Sequence, residues 1–231
     1  MPKVSAQYLA KKKKEIVEAA IRVCSTKPAY EITLRDVVRE CGISTGGIYN
    51  YFASIDEIFI EILNQAYTEF PYSTELSKVF NSGRPAAEII VEVFQLQGRL
   101  IDSMYGRYGK FMMELDVILL NDPQRGQRMI AQSIGNSESS DFLEKLFMLI
   151  SSHIAEGTFN PEVPLQHILF VTIGAVEGVH KAIIAPEHVK DSILAFGLTE
   201  EECATAQGMM KVLAKTLLNL LGCQTQKPIK E

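Results

Sequence analysis

An all-α fold in two parts is predicted by three features of this 231-residue chain. Apolar residues recur at helical spacing in almost every long stretch, and the breaks between stretches are clusters of Pro, Gly, Asn and Asp. Strict alternation of the kind a half-buried strand requires is missing. Charge is also unevenly placed: residues 1–52 hold nine Lys/Arg against five Asp/Glu, while residues 53–231 hold fourteen against twenty-three. A basic head therefore stands on an acidic body, and with 47% apolar residues the chain can bury a sizeable core in a small domain joined to a larger one.

The first helix is expected over residues 6–27, with the run Lys11 to Lys14 on it or on the arm before it. A short helix follows over 33–40. Thr33 stands three residues before Asp36, the spacing at which hydroxyl and carboxylate satisfy each other's backbone N–H, and Leu34, Val37 and Val38 give the helix one apolar side. Gly42 ends it, because a left-handed residue after Cys41 is free of steric cost only for glycine. Ile43 plugs the turn and Ser44 caps the next helix, over 44–50, where Thr45, Gly46 and Gly47 are small enough for the backbone to approach a groove. Ser54 and Glu57 form a third capping pair and open a helix over 54–70 through Ile58, Phe59, Ile62 and Leu63, which Pro71 ends. Three helix starts and a glycine turn between Thr33 and Asp56 make a helix-turn-helix.

Further helices are expected over 85–104, 107–120, 124–156, 163–185 and 201–222, with Asn121-Asp122-Pro123 and Asn160-Pro161 as the clearest breaks. Pro186 to Gly197 reads as a short extra helix. The domain expectation is a helix-turn-helix domain over 1–53, a helical effector-binding and dimerisation domain over 54–222, and a disordered tail over 223–231.

The segment IVEAA at Ile16 to Ala20, followed by TLRDVVRECGISTGGIYNYF at Thr33 to Phe52, resembles the TetR family of bacterial transcriptional regulators across roughly the first 65 residues. The discriminating part is the Gly-Ile-Ser-x-Gly-x-x-Tyr-x-Tyr-Phe run. Three positions depart from the family pattern: Ile55 stands where a lysine is common, Cys24 where a phenylalanine is common, and Pro28-Ala29-Tyr30 replaces a glycine-aromatic turn. The resemblance implies that Thr45, Gly46 and Tyr49 face double-stranded DNA, with Asn50 and Tyr51 close by. Thr45 suits a thymine methyl or a base acceptor, the tyrosine hydroxyls suit phosphate, and Asn50 suits adenine. Tyr51 has a second reading, as packing for the small domain beside Phe52. Thr33 and Arg35 are expected to position the motif on the backbone rather than read bases, and Ser44 joins the DNA-binding set. Lys11 and Lys14 join the DNA-binding set, although four successive lysines turn through about 100° each and do not share one face; the bland reading is a solvated helix start.

One motif covers too few base pairs to be specific in a genome, so a homodimer on a palindrome is implied. Its expected interface uses Ile173, Gly174 and Gly178 at small-residue spacing and the stripe Leu213, Leu217 and Leu220, which could equally pack internally. Phe94, Met104, Tyr105, Tyr108, Phe111, Met112, Phe147 and Met148 are candidate linings of an effector pocket, or else ordinary core at helical spacing. Glu114, Asp116 and Glu177 would counter a cationic ligand if they face inward.

The resemblance implies a ligand-responsive repressor released from its operator by a small apolar or amphipathic effector. The competing reading is an architectural or partner-regulating DNA-binding protein with no effector. An enzyme is disfavoured, since no phosphate loop, nucleophile elbow, metal motif or carboxylate pair is present, and no cofactor is expected. His153, His167, His180 and His188 lack metal spacing, and Cys24, Cys41, Cys203 and Cys223 lack a CxxC pattern and are expected to be reduced. With no apolar run at the N-terminus and no membrane-length apolar stretch, the expected location is the cytoplasm.

Overall fold

The computed structural model describes residues 5–70, 72–184 and 205–223, and every regular element among them is helical. In chain order these are α1 (Ala6–Thr26), a 3-10 turn (Ala29–Glu31), α2 (Leu34–Cys41), α3 (Thr45–Ile48), α4 (Ile55–Glu69), α5 (Tyr72–Phe80), α6 (Ala86–Asn121), α7 (Pro123–Gln132), α8 (Gly135–Ala155), α9 (Leu165–Ile184) and α10 (Ala206–Leu220). The expected extra helix at Pro186 to Gly197, the tail beyond Cys223 and the side chain of Tyr105 lie outside the described residues.

The head helices fall where capping chemistry places them. Three of the expectations in the body are corrected. The helices expected over 85–104 and 107–120 are one 36-residue helix, α6. Gly106 sits inside it without a left-handed backbone, and a glycine in a helix interior costs only about 1 kcal/mol against alanine, which buried Leu100, Ile101, Met104, Tyr108 and Phe111 outweigh. The single helix expected over 124–156 is two. Ser133 is extended (φ −87°, ψ 155°), and the amide of Ile134 donates to Asn64 Oδ1 at 2.9 Å in place of a helical carbonyl. Finally, α5 follows the predicted stop at Pro71, burying Tyr72, Leu76 and Val79 at i, i+4 and i+7.

The chain divides into two compact units. Met1–Phe70 with Tyr105–Ser137 forms the first, and Pro71–Met104 with Glu138–Glu231 the second. In the first unit Ile16, Val17, Ala20, Val37, Ile48 and Phe52 close the head. Phe59 of α4 meets Phe111 of α6 with ring centroids 5.3 Å apart and planes tilted by 54°. Cys24 is buried in this unit, and burial pushes its thiol up to about 12, with the Glu114 carboxylate adding to the effect.

In the second unit Phe94 meets Phe142 edge-on at 6.4 Å, and α9 packs along α10. The start of α10 is capped twice. Thr205 Oγ1 accepts from the Gly208 amide at 3.1 Å, and the Asp102 carboxylate of α6 accepts from the amides of Ala206 (2.8 Å) and Gln207 (3.3 Å). Gly98, one turn earlier in α6, permits this approach, since a Cβ there would stand 2.7 Å from Gln207 Cα. Asp102→Ala is expected to lower unfolding stability by about 1–2 kcal/mol in urea denaturation, because two helix-start amides lose a charged acceptor. Unchanged stability would show that Thr205 suffices.

Candidate nucleic-acid interface

A four-residue helix has too few internal hydrogen bonds to hold itself, so the geometry of α3 is set by what surrounds it. On the approach side, α2 opens with a complete capping box. The Thr33 amide donates to Asp36 Oδ2 at 2.9 Å, the Thr33 hydroxyl donates to the same oxygen at 2.8 Å, and the Asp36 amide points back at Thr33 Oγ1 at 3.4 Å. Lys27, just past α1, donates its ammonium to that oxygen at 2.9 Å. The lysine contact first, and then the two bonds from Thr33, hold the Asp36 carboxyl down to about 2, below its ordinary 3.8. A second pair, Arg22 to Glu40 at 2.6 Å, ties the far end of α2 to α1.

Gly42 closes α2 in the left-handed region (φ 69°), its amide donating to the Val38 carbonyl at 3.0 Å. Ser44 then caps α3, its Oγ accepting from the Gly47 amide at 3.0 Å, and a Cβ at position 47 would press on that oxygen at 2.9 Å. Beyond Ile48 the chain winds on through two further bonds to the Ile48 carbonyl, from the amides of Tyr51 and Phe52. Ile48 and Phe52 are buried, which anchors the inner side. The outer side presents Thr45, Gly46, Tyr49 and Asn50 to solvent, with Tyr49 59% exposed, and Tyr51 is half-buried. A Cβ at Gly46 would meet open space.

The expected DNA-facing residues therefore share one unit and lie at its surface, but they do different work. The hydroxyls of Thr33 and Ser44 are engaged in caps. Arg35 is exposed and makes no ion pair among the described residues. Within the lysine run the structure separates the roles. Lys12 pairs with Glu15 at 2.5 Å, Lys13 lies 5.3 Å from the ring centre of Phe52, and Lys11 and Lys14 extend into solvent without an ion pair among the described residues. Sequence reasoning missed the fixing of α2 by Lys27 and Arg22, for which no local spacing gave a signal.

The other expected sites are more dispersed. Phe94, Met104, Tyr108 and Phe111 are buried, Met112 is half-buried, and Phe147 and Met148 are exposed. Tyr108, Phe111 and Met112 belong to the first unit, and Phe94, Met104, Phe147 and Met148 to the second. Met148 lines an open cavity of about 520 Å³ with Phe80, Glu144, Lys145, Leu149 and Ser152. Glu114 faces the head, accepting from the Ala29 amide, and Glu177 is held below its usual range by His180 at 3.8 Å. Ile173, Gly174, Gly178 and Leu220 are exposed and Leu213 is half-buried. Leu217 is fully buried within the chain and has no surface left for a partner.

A short, capped helix with an exposed polar face, in one unit with a basic first helix, is the arrangement of a helix-turn-helix. The model for bacterial regulatory proteins of the tetR family matches residues 16–62. Over 182 residues the chain is 27% identical to the uncharacterized HTH-type transcriptional regulator YfiR of Bacillus subtilis (strain 168), covering 77% of this chain and 82% of that protein. In fold it is similar to the MbdR regulator from Azoarcus sp. CIB (TM-score 0.58, 18% identity, 90% of this chain and 97% of that one). It is likewise similar to the TetR family regulator PfmR from Thermus thermophilus (TM-score 0.56, 15% identity, 88% and 97%). Residues 16–62 are thus those of a tetR-family helix-turn-helix domain, and the chain as a whole shares the helical fold of the solved regulators.

Because the folded Asp36 carboxyl lies below its unfolded value, its contribution to stability is fully present above about pH 4 and is lost as pH falls towards 2. Asp36→Asn is expected to remove that part of the acid-side slope in urea unfolding measured from about pH 4 to about pH 2. A variant with the wild-type slope would show that the carboxylate does not carry it.

Proposed function

We propose that the protein is a cytoplasmic homodimeric repressor that reads a palindromic operator through α3 and leaves it when a small amphipathic molecule binds the body. The observation that carries this reading is the outer side of α3. Thr45, Gly46, Tyr49 and Asn50 are exposed together while Ile48 and Phe52 anchor the inner side. Arg35, Lys11 and Lys14 stand in the same unit with no ion pair among the described residues. Tyr49 and Asn50 supply base or phosphate contacts, and the cations supply salt-dependent affinity.

Dimerisation is supported by the surface of the α9–α10 pair. Phe170 and Val171 on α9 and Val212 on α10 are 79%, 63% and 65% exposed, large apolar side chains open to solvent on two helices that pack together. Gly174 and Gly178 meet open space on the same helix, so a partner helix can approach closely. This composition also makes α9 the one helix among the described residues long and apolar enough to cross a membrane, by length and composition only. Glu177, His180 and Lys181 near its end suit a helix-bundle interface better.

The amphipathic character of the effector is supported by the cavity between α5 and α8, where Phe80, Met148 and Leu149 give apolar surface and Glu144 and Lys145 a charged rim. The close packing of Phe94 on Phe142 and of Phe111 on Phe59 favours the second reading, a DNA-binding regulator without an effector. A thermal-shift screen of metabolites separates the two: stabilisation by a compound that also releases operator DNA carries the first, and a screen without such a compound carries the second.

Tyr49→Ala is expected to weaken operator binding by about 1–3 kcal/mol with the dimer intact, measured by fluorescence anisotropy on a selected fragment. Lys14→Ala should lower the log–log salt slope by about 0.9, the value of one neutralised phosphate. Equal slopes would remove Lys14 from the interface. Val171→Glu is expected to shift the protein from dimer to monomer in analytical ultracentrifugation with helix content retained; a persistent dimer would place the interface elsewhere.

A further inference from the structure

Around α5, helical spacing puts Tyr72, Leu76 and Val79 on the buried side and leaves residues 73, 74, 77, 78 and 81 together on another. That second side carries Ser73, Thr74, Ser77, Lys78 and Asn81, which line an open cavity of about 670 Å³. Among the described residues its lining holds three hydroxyls, an amide and an ammonium, and no carboxylate. Glu75 pairs with Lys78 at 2.6 Å from outside that lining.

Phe80 stands three residues after Ser77, so the polar side of α5 borders directly on the apolar cavity between α5 and α8. The two cavities meet at one hydrogen bond. Lys145 of α8 lines the apolar cavity, and its Nζ donates at 3.1 Å to the Ser77 hydroxyl, which lines the polar one. All of these residues belong to the second compact unit. The chemistry therefore changes in order. Phe80, Leu149 and Met148, the last 63% exposed, offer apolar surface, Lys145 stands at the boundary, and Lys78 with the hydroxyls lies past it. Both ammonium groups can only donate, so the polar end asks for an acceptor. Glu144 lines the apolar cavity and repels a negative group there, which directs an anionic head past Lys145.

We propose that these two cavities form one site for a free amphipathic anion, an apolar chain ending in a carboxylate or phosphate, with Lys145 as the residue that selects the charge of the head group. The chain lies on Phe80, Met148 and Leu149, and the head lies between Lys145 and Lys78. The proposal rests on the reading of the body as effector-binding and adds to it the sign of the ligand's charge.

The test titrates the full-length protein by calorimetry with decanoate, decyl phosphate, decanol and decyltrimethylammonium, each below its micelle concentration. The two anions are expected to bind about tenfold more tightly than the other two. Lys145→Gln should weaken decanoate about tenfold and leave decanol unchanged, with helix content retained and Lys145→Arg recovering most of the loss. In methyl NMR the Met148 resonance should shift with decanoate while that of Met210, buried in α10, stays in place. Decanol binding as tightly as decanoate overturns the proposal. So does wild-type decanoate affinity in Lys145→Gln, or the absence of binding by every probe. Co-sedimentation with phosphatidylglycerol vesicles without decanoate binding overturns it in favour of a membrane surface. Failure of the effector reading looks different: decanoate binds with the Lys145 dependence but leaves operator affinity in anisotropy unchanged. Conversely, a metabolite that releases operator DNA while no probe binds keeps the effector reading and overturns this site.

Discussion

Everything around the DNA-facing surface depends on holding a helix that is too short to hold itself. Four residues form barely one turn, and the first turn of a helix is the unfavourable one. The protein answers with local capping on both sides of Gly42 and with a set of charges that fix α2. The Asp36 carboxylate is the hub of that set, since one oxygen takes the Lys27 ammonium and both the amide and the hydroxyl of Thr33. Its low pKa is the electrostatic record of those three donors, and at neutral pH the hub is permanently charged.

Building outwards from that hub, α1 becomes the element through which the head is organised. Its inner side supplies Ile16, Val17, Ala19 and Ala20 to the core, and Arg22 with Lys27 beyond its end grips α2. Its side towards α6 carries Glu18, and its start carries Lys11 and Lys14, which are exposed and make no ion pair among the described residues, while Lys12 and Lys13 are engaged by Glu15 and Phe52. One helix therefore combines the packing, the exposed cations and the attachment to the rest of the first unit.

The second unit is organised on a different principle. Its helices bury large apolar side chains internally, yet α9 and α10 keep Phe170, Val171 and Val212 at the surface, and the start of α10 is fastened to α6 by Asp102 across the gap that Gly98 leaves. In the proposed reading that surface is covered by a second copy, and two-fold pairing and operator symmetry then belong together.

The head was legible in the sequence because its determinants are local. Thr33 with Asp36, Gly42 after Cys41, and Ser44 before Gly47 each act over three or four residues, so spacing alone placed α2, the turn and α3. The start of α4 followed from Ser54 and Glu57 in the same way, and its end from Pro71. The body was decided by tertiary contacts that spacing does not encode. Gly106 reads as a break, but buried neighbours carry α6 through it, while the break at Ser133 and Ile134 arises because Asn64, seventy residues earlier, takes the Ile134 amide. Likewise Leu217 and Leu220 look alike in a helical stripe, and only packing buries the first and leaves the second exposed. Capping and turn chemistry are short-range and written in neighbouring residues. Which side of a long helix is covered, and which distant side chain completes a hydrogen bond, is settled only when the chain has folded.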